Sequence, residues 1–295
     1  MYISDFKYHK PVSLEEASKI LEHSYNAVPL AGGTDLLVEV KKGLRKFNDL
    51  VSLSGIPGLK NIEEDSQNIY IGACLTHNGL VYSELIKNKI PALSGAASKI
   101  GSEQIRNTGT VGGNLCTGAS CADTAPILLA YDSQVELASH KGKRIIPLRK
   151  FIISHHKTDI KKNEIMTRII VPKLQKSSGA SFVKFGLREA SSISVASVAV
   201  KIEFVSGVCN NVNIVIGACA PTPVISENAN YFTLGKTIDE LTNNALLIES
   251  VVSAASNDTI PIDDIRGSAA YRRQLVKVLT KQALALAIER TKIVN

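Results

Sequence analysis

The chain has 295 residues, 44% hydrophobic and 21% charged, which is ordinary globular composition and enough chain for two domains. No apolar run approaches the roughly 18–20 residues that span a bilayer, and the opening "MYISDFKYHKPVSLEEA" lacks the long apolar centre of a signal peptide, so a cytoplasmic protein is expected. The net charge of +7 comes from scattered lysines. With no tryptophan and 5% aromatics, base-stacking side chains are scarce, which points away from nucleic acid and towards a solvated surface or a face that meets a more acidic subunit.

Ser13 followed by Glu16 is a capping-box pattern, so a helix is predicted from about Leu14 to His23. "NAVPLAGG" reads as a short buried strand that breaks at its glycines, and "TDLLVEVKK" as a helix stopped by Gly43. "DLVSLS" and "NIYIGACLTH" read as strands, and "GLVYSELIKN" and "PALSGAASKIG" as helices. A glycine-rich loop follows, "RNTGTVGGNLCTGASCAD". Then "DTAPILLAYDSQVELAS" reads as a helix running into a strand, with Pro126 suited to the first turn. "IMTRIIVP" is a strand ending at Pro172, and the lysine- and serine-rich "KLQKSSGA" marks a domain boundary. Beyond it "ASFVKFGLRE", "SVASVAVKIEF" and "NVNIVIGACAPTPV" are strand-rich. The helical end, "YRRQLVKVLTKQALALAIERTK", places Leu275, Val278, Leu279 and Leu286 on one stripe.

Several chemistries fail on their residues. "NYFTLGKT" would need a glycine where Asn230 stands to be a P-loop, and "GASCA" lacks the last glycine of a nucleophile elbow. There is no GxGxxG for a Rossmann site and no carboxylate pair for acid–base work. His155 and His156 are adjacent, which puts them on opposite sides of an extended chain, and no metal-ligand spacing accompanies them. Cys74, Cys116, Cys121, Cys209 and Cys219 form no CxxC pair and no disulfide framework. They read as small buried hydrophobes, with Cys116 and Cys121 set apart by lying in the glycine-rich loop.

What the sequence offers instead is backbone. "GGTD" and "GTVGGN" each supply consecutive N–H groups where glycine permits close approach, with helix starts behind them. Either alone is an ordinary turn. Together they suit the diphosphate of a dinucleotide cofactor, with Thr34, Thr110, Asn114 and Thr117 adding hydroxyl and amide contacts.

"AGGTDLL", followed by "IRNTGTVGGNLCTGASCADTAPILLA", resembles the FAD-binding medium subunit of molybdenum hydroxylases, the family of xanthine, carbon monoxide and nicotinate dehydrogenases. The likeness extends to "EIMTRIIVP", "KFGLREASSISVAS" and "RGSAAYRRQLVKVLTKQAL", and so to nearly the whole chain. The resemblance implies an α+β fold. A two-lobed FAD-binding domain of the vanillyl-alcohol-oxidase type would occupy residues 1–175, with lobes of about 1–55 and 56–175. A C-terminal α+β domain with a three-stranded antiparallel sheet and helices would occupy 176–295. It also implies cofactor contacts. Ala31, Gly32, Gly33, Thr34, Asp35 and Leu36 would wrap the diphosphate and ribityl chain with Thr110, Val111, Gly112, Gly113 and Asn114. Thr117 and Asp123 would bond ribityl and ribose hydroxyls, Ile100 and Gly101 would pass the flavin ring, and Met166 would lie against the adenine or its ribose. Lys184 would approach the carbonyl edge of the isoalloxazine. From the residues alone, Asp123 is equally a helix N-cap, Met166 a strand core residue and Lys184 a surface lysine.

Two departures stand out. Ser192 occupies a place where the family often has aspartate, and the cysteines form no inserted loop for an iron–sulfur cluster, so none is expected in this chain. The implied role is electron transfer with no catalytic side chain in this chain: FAD here, two [2Fe-2S] clusters in a small partner, the molybdenum cofactor in a large one, and NAD(P) or another acceptor. Xanthine-like purines or nicotinate-like heterocycles are the implied substrates. A stand-alone flavin oxidoreductase and a non-catalytic nucleotide-binding module are the rival classes. The first predicts turnover by the isolated chain, and the second a colourless protein.

Overall fold

In the computed structural model, which describes residues 5–189 and 191–291, the chain builds three larger sheets in sequence order and one two-stranded hairpin. The first is parallel. Strand β1 (Lys7–His9) leads to helix α1 (Leu14–His23), β2 (Ala27–Leu30), helix α2 (Leu36–Lys41) and β3 (Asp49–Ser52), and β3 lies between the other two strands. The Ser13 hydroxyl accepts the Glu16 amide at 3.1 Å and starts α1 where the capping pattern puts it. The Glu16 carboxylate reaches the Val12 amide instead of that of Ser13, so the box is half closed. Helix α1 buries Ala17 and Leu21 against Val51 and Leu53.

The second sheet is antiparallel. It begins with β4 (Ile62–Glu64) and β5 (Asn68–Gly72). A run of helices follows: α3 (His77–Tyr82), α4 (Glu84–Lys89), α5 (Pro91–Ser98), α6 (Glu103–Thr108), α7 (Val111–Thr117) and α8 (Thr124–Ala130). Then come β6 (Gln134–Ser139), β7 (Gly142–Pro147), α9 (Leu148–Phe151), a small hairpin of β8 (Ile152–Ser154) and β9 (Lys157–Thr158), and β10 (Ile165–Pro172). The sheet order is β4-β5-β10-β6-β7. Ile69, Ile71, Val135, Leu137, Ile169 and Val171 from its strands meet Leu80, Ile86, Leu93 and Leu115 from the helices in one core. The glycine-rich stretch is a loop only at its end: Arg106–Thr108 close α6, Val111–Thr117 form α7, and the chain leaves the helix at Gly118, at φ +61°, to run without regular structure to Asp123.

The third sheet pairs β11 (Ser178–Gly186), β12 (Ser194–Val205), β13 (Val208–Gly217) and a two-residue β14 (Val224–Ile225), all antiparallel, one strand more than the three expected. Helices α10 (Glu227–Thr233), α11 (Ile238–Asn243), α12 (Ala245–Asn257) and α13 (Ala269–Thr291) complete it. The expected last helix runs one residue further, to Lys292, which lies outside the described residues.

Its apolar stripe is not the expected one. Leu275 and Leu279 are buried, but Val278 is 53% exposed and Leu286 38%. At about 100° per residue, the buried arc (Arg272, Val276, Ala283, Leu284, Ala287) centres about 110° round the helix from Leu275. Small residues set it. A Cβ on Gly179 would stand 1.9 Å from the Ala287 carbonyl oxygen, so helix and strand touch backbone to backbone. Weighing side chains by size hides such a face.

Candidate cofactor-binding site

Strand β2 runs out at Leu30, and the chain turns through Ala31–Asp35 before α2 begins. Gly33 makes the turn at φ +72°, a conformation that costs any other residue about 1–2 kcal/mol. Asp35 stands at the N-cap of α2 without a side-chain capping bond. The amides of Gly32, Gly33, Thr34 and Asp35 find no acceptor among the described residues. Four consecutive open donors at a helix start make a nest for an oxyanion.

The second glycine stretch differs, and here the structure corrects the expectation that it too supplies open amides. Val111 N donates to Leu75 O at 3.0 Å, Gly112 N to Ala73 O at 2.9 Å, Gly113 N to Thr110 Oγ1 at 3.1 Å and Asn114 N to Thr110 O at 2.9 Å. Its glycines serve packing: a Cβ on Gly112 would sit 2.6 Å from the Ala73 carbonyl oxygen. The two bends nevertheless meet. A Cβ on Gly32 would stand 2.1 Å from the Thr108 carbonyl oxygen, and Thr117 Oγ1 lies 3.3 Å from Asp35 Oδ2.

Between them opens a cavity of about 750 Å³. Ala31 to Leu36, Ile100, Thr110, Gly112, Gly113, Asn114, Thr117 and Met166 line it. Four of the residues singled out in the sequence do not. Val111, the first residue of α7, is fully buried. The Gly101 carbonyl is held by Arg106 and by the Ser191 amide. Asp123 and Lys184 are each other's partners at 2.6 Å, with side chains only 6% exposed. Lys184 also donates to Lys99 O at 3.0 Å, and the Ser194 hydroxyl donates to the other Asp123 oxygen. Asp123 thus occupies the N-cap of α8 without making the cap bond, and Lys184 is no surface lysine. Burial pushes the Asp123 carboxyl above its ordinary pKa against the opposing pull of Lys184. The pair fastens the segment before α8 to β11.

Several lining residues lie outside the two glycine motifs: His77, Cys74 and the lysines of the β8–β9 region; Cys116, inside the second, lines it too. His155 and His156 are not on opposite sides of a strand. His156 turns the hairpin at φ +54°, the two rings stand edge-to-face at 4.1 Å, and His156 Nδ1 bonds the Thr117 carbonyl at 2.9 Å. Burial pushes the Cys74 thiol up to about 11 and the Cys116 thiol up to about 12, so both stay protonated at neutral pH. Cys121 is also shifted upward by burial. At the rim, Lys157 and Lys161 bring positive charge with no carboxylate partner among the described residues. Open amides, a backbone cradle that a Cβ would fill and basic residues at the mouth fit a dinucleotide held by its pyrophosphate.

The family described as "FAD binding domain in molybdopterin dehydrogenase" matches residues 4–174, and the "CO dehydrogenase flavoprotein C-terminal domain" matches 181–287. The chain is 29% identical to the xanthine dehydrogenase FAD-binding subunit of Escherichia coli O157:H7 over 95% of both chains. It is 32% identical to the nicotinate dehydrogenase FAD-subunit of Eubacterium barkeri over 83% of this chain and 85% of that one. Among solved structures, carbon monoxide dehydrogenase from Hydrogenophaga pseudoflava superposes with a TM-score of 0.93 at 29% identity, covering 98% of this chain and 99% of that chain. With that sequence match over more than half its length and that fold along nearly all of it, the chain belongs to the FAD-binding subunits of the molybdenum hydroxylases.

Proposed function

We propose that this chain is the electron-relay subunit of a multi-subunit, molybdenum-containing dehydrogenase. It takes electrons from [2Fe-2S] clusters of a small partner and passes them to NAD(P)+ or another acceptor. A large partner with the molybdenum cofactor hydroxylates the organic substrate, an N-heterocycle such as xanthine or nicotinate. The relatives named for xanthine and nicotinate dehydrogenases support the substrate class, and their description as subunits supports the partners.

Bound FAD supplies chemistry that no side chain has, accepting electrons singly and releasing them in pairs. The chain's own residues do the rest. The Gly32–Asp35 amides hold the pyrophosphate, and Thr34, Asn114 and Thr117 offer side-chain contacts beside it. Ile100 and Met166 give the cavity apolar wall. The thiols of Cys74 and Cys116 keep their protons, so neither serves as a nucleophile or base in the cavity.

The observation that carries this reading is the run of four open amides in the cavity wall. Two experiments test it. Purification of the native complex should yield molybdenum, iron and FAD together, and the chain alone with FAD and no metals contradicts the relay. The double substitution Gly33→Val with Gly112→Val should abolish FAD occupancy, and unchanged occupancy contradicts the assignment of the two bends.

A further inference from the structure

The second glycine stretch lines the cavity yet keeps its amides for itself, so a ligand there must find another donor. His77 opens α3 in the same wall, and only 2% of its surface is exposed. Its main-chain amide donates to the Gly109 carbonyl at 3.0 Å and ties the residue to the second bend. A Cβ on Gly109 would stand 3.3 Å from His77 Cδ2 and 3.3 Å from Thr34 Oγ1. One glycine is therefore all that separates the imidazole edge from the hydroxyl of the amide nest.

Neither ring nitrogen of His77 has a partner among the described residues. Nδ1 is sealed from solvent as well; Nε2 is not among the sealed atoms, and His77 lines the cavity. Buried polar atoms are nearly always paired, so an imidazole with no partner on either nitrogen calls for one, and only Nε2 is open to receive it. Arg106, bonded to Asn78 Oδ1 at 3.2 Å and Ile100 O at 3.0 Å, brings its charge near the ring. Burial and, secondarily, that charge press the imidazole down to a pKa of about 4, so it is neutral at physiological pH and carries one proton. Nδ1 has no acceptor to give a proton to, so the proton resides on Nε2, where the cavity can supply one.

We propose that His77 is a cofactor-binding residue whose Nε2–H donates to a pyrophosphate oxygen of the bound FAD. The inference rests on the FAD reading above and adds to it the donor that the second bend positions in place of its own amides. Lysine or arginine there would bring charge; a neutral imidazole brings direction.

The test uses the full-length chain stripped of flavin and titrated with FAD near neutral pH, with Kd read from quenching of flavin fluorescence. His77→Gln sets an amide nitrogen near the place of Nε2 and should bind within about threefold of the unsubstituted chain. His77→Leu keeps the volume without the donor and should bind about tenfold or more weakly. In the leucine variant one 31P resonance of the bound pyrophosphate should move while the flavin absorption spectrum stays. A second measurement does not depend on any variant folding: in the unsubstituted chain with 15N-labelled histidine, FAD should move the His77 Nε2 proton downfield and slow its exchange. His77→Leu binding within about twofold with an unmoved 31P spectrum, or an Nε2 proton indifferent to FAD, overturns the proposal and leaves the FAD reading standing. No FAD binding by the unsubstituted chain overturns both.

Discussion

Gly32→Ala tests the contact on which the site is built. The added Cβ would stand 2.1 Å from the Thr108 carbonyl oxygen, 2.8 Å from the carbonyl carbon and 2.9 Å from Gly109 Cα. All three are main-chain atoms, so no rotamer relieves the clash. An ordinary carbon–oxygen contact is about 3.3 Å, so the two bends must part by about 1 Å. Overpacking of this kind costs about 1–3 kcal/mol, and at about 2–4 °C per kcal/mol the melting temperature should fall by roughly 2–12 °C. The displaced wall carries the four open amides, so FAD should bind about tenfold or more weakly. Gly43→Ala is the control. Its φ is +73° and nothing lies within 4 Å of the new Cβ, so it should lose about 1–2 kcal/mol of stability and no FAD affinity. Thermal denaturation by circular dichroism and FAD titration of both variants give the comparison. If Gly32→Ala binds FAD as the unsubstituted chain does, or Gly43→Ala loses as much affinity, the argument from close approach fails.

Acid should expose the buried imidazole. With His77 held near pH 4 in the fold against an ordinary 6.5, the unfolded chain takes up the proton first as pH falls, so the stability is full above about 6.5 and drops by about 3 kcal/mol towards pH 4. Urea unfolding at both pH values should show that loss reduced in His77→Gln, and equal losses refute the assignment. Cys74 and Cys219, pushed up to about 11 by burial, and Cys209, pushed up to about 12, should react with iodoacetamide at pH 8 about a hundredfold or more slowly than free cysteine. Rapid alkylation of the native protein contradicts their burial. Lys184→Met should destabilise by about 3–5 kcal/mol because it strands the Asp123 carboxylate. Adding Asp123→Asn should restore much of the loss, and additive losses in the double variant show that the two are not coupled.

Local rules make α1 legible: Ser13 caps where its spacing to Glu16 says it must. The two glycine bends are legible as a pair because glycine has few other reasons to recur at helix starts. Their division of labour is not, since Val111 and Gly112 spend their amides on Leu75 and Ala73, partners fixed by the tertiary fold, while Gly113 and Asn114 turn to the local cap at Thr110. The Asp123–Lys184 pair is invisible for the same reason: it joins the start of α8 to β11, sixty-one positions on. Each of the two is conspicuous in the sequence, but taken singly it points to the ligand instead of to the other. His77 belongs to no motif, and only the seal around its ring and the want of a partner mark it. Strand β7 escapes the pattern because "GKRIIP" carries an edge strand's charges.

The main-chain amides of the 15N-labelled chain report on the central claim most directly. Addition of FAD should shift the Gly32, Gly33, Thr34 and Asp35 amide protons strongly downfield as they gain an acceptor. The Val111, Gly112, Gly113 and Asn114 amides, already bonded within the protein, should move far less. FAD that binds tightly while those first four resonances stay in place, or that fails to bind at all, contradicts the account.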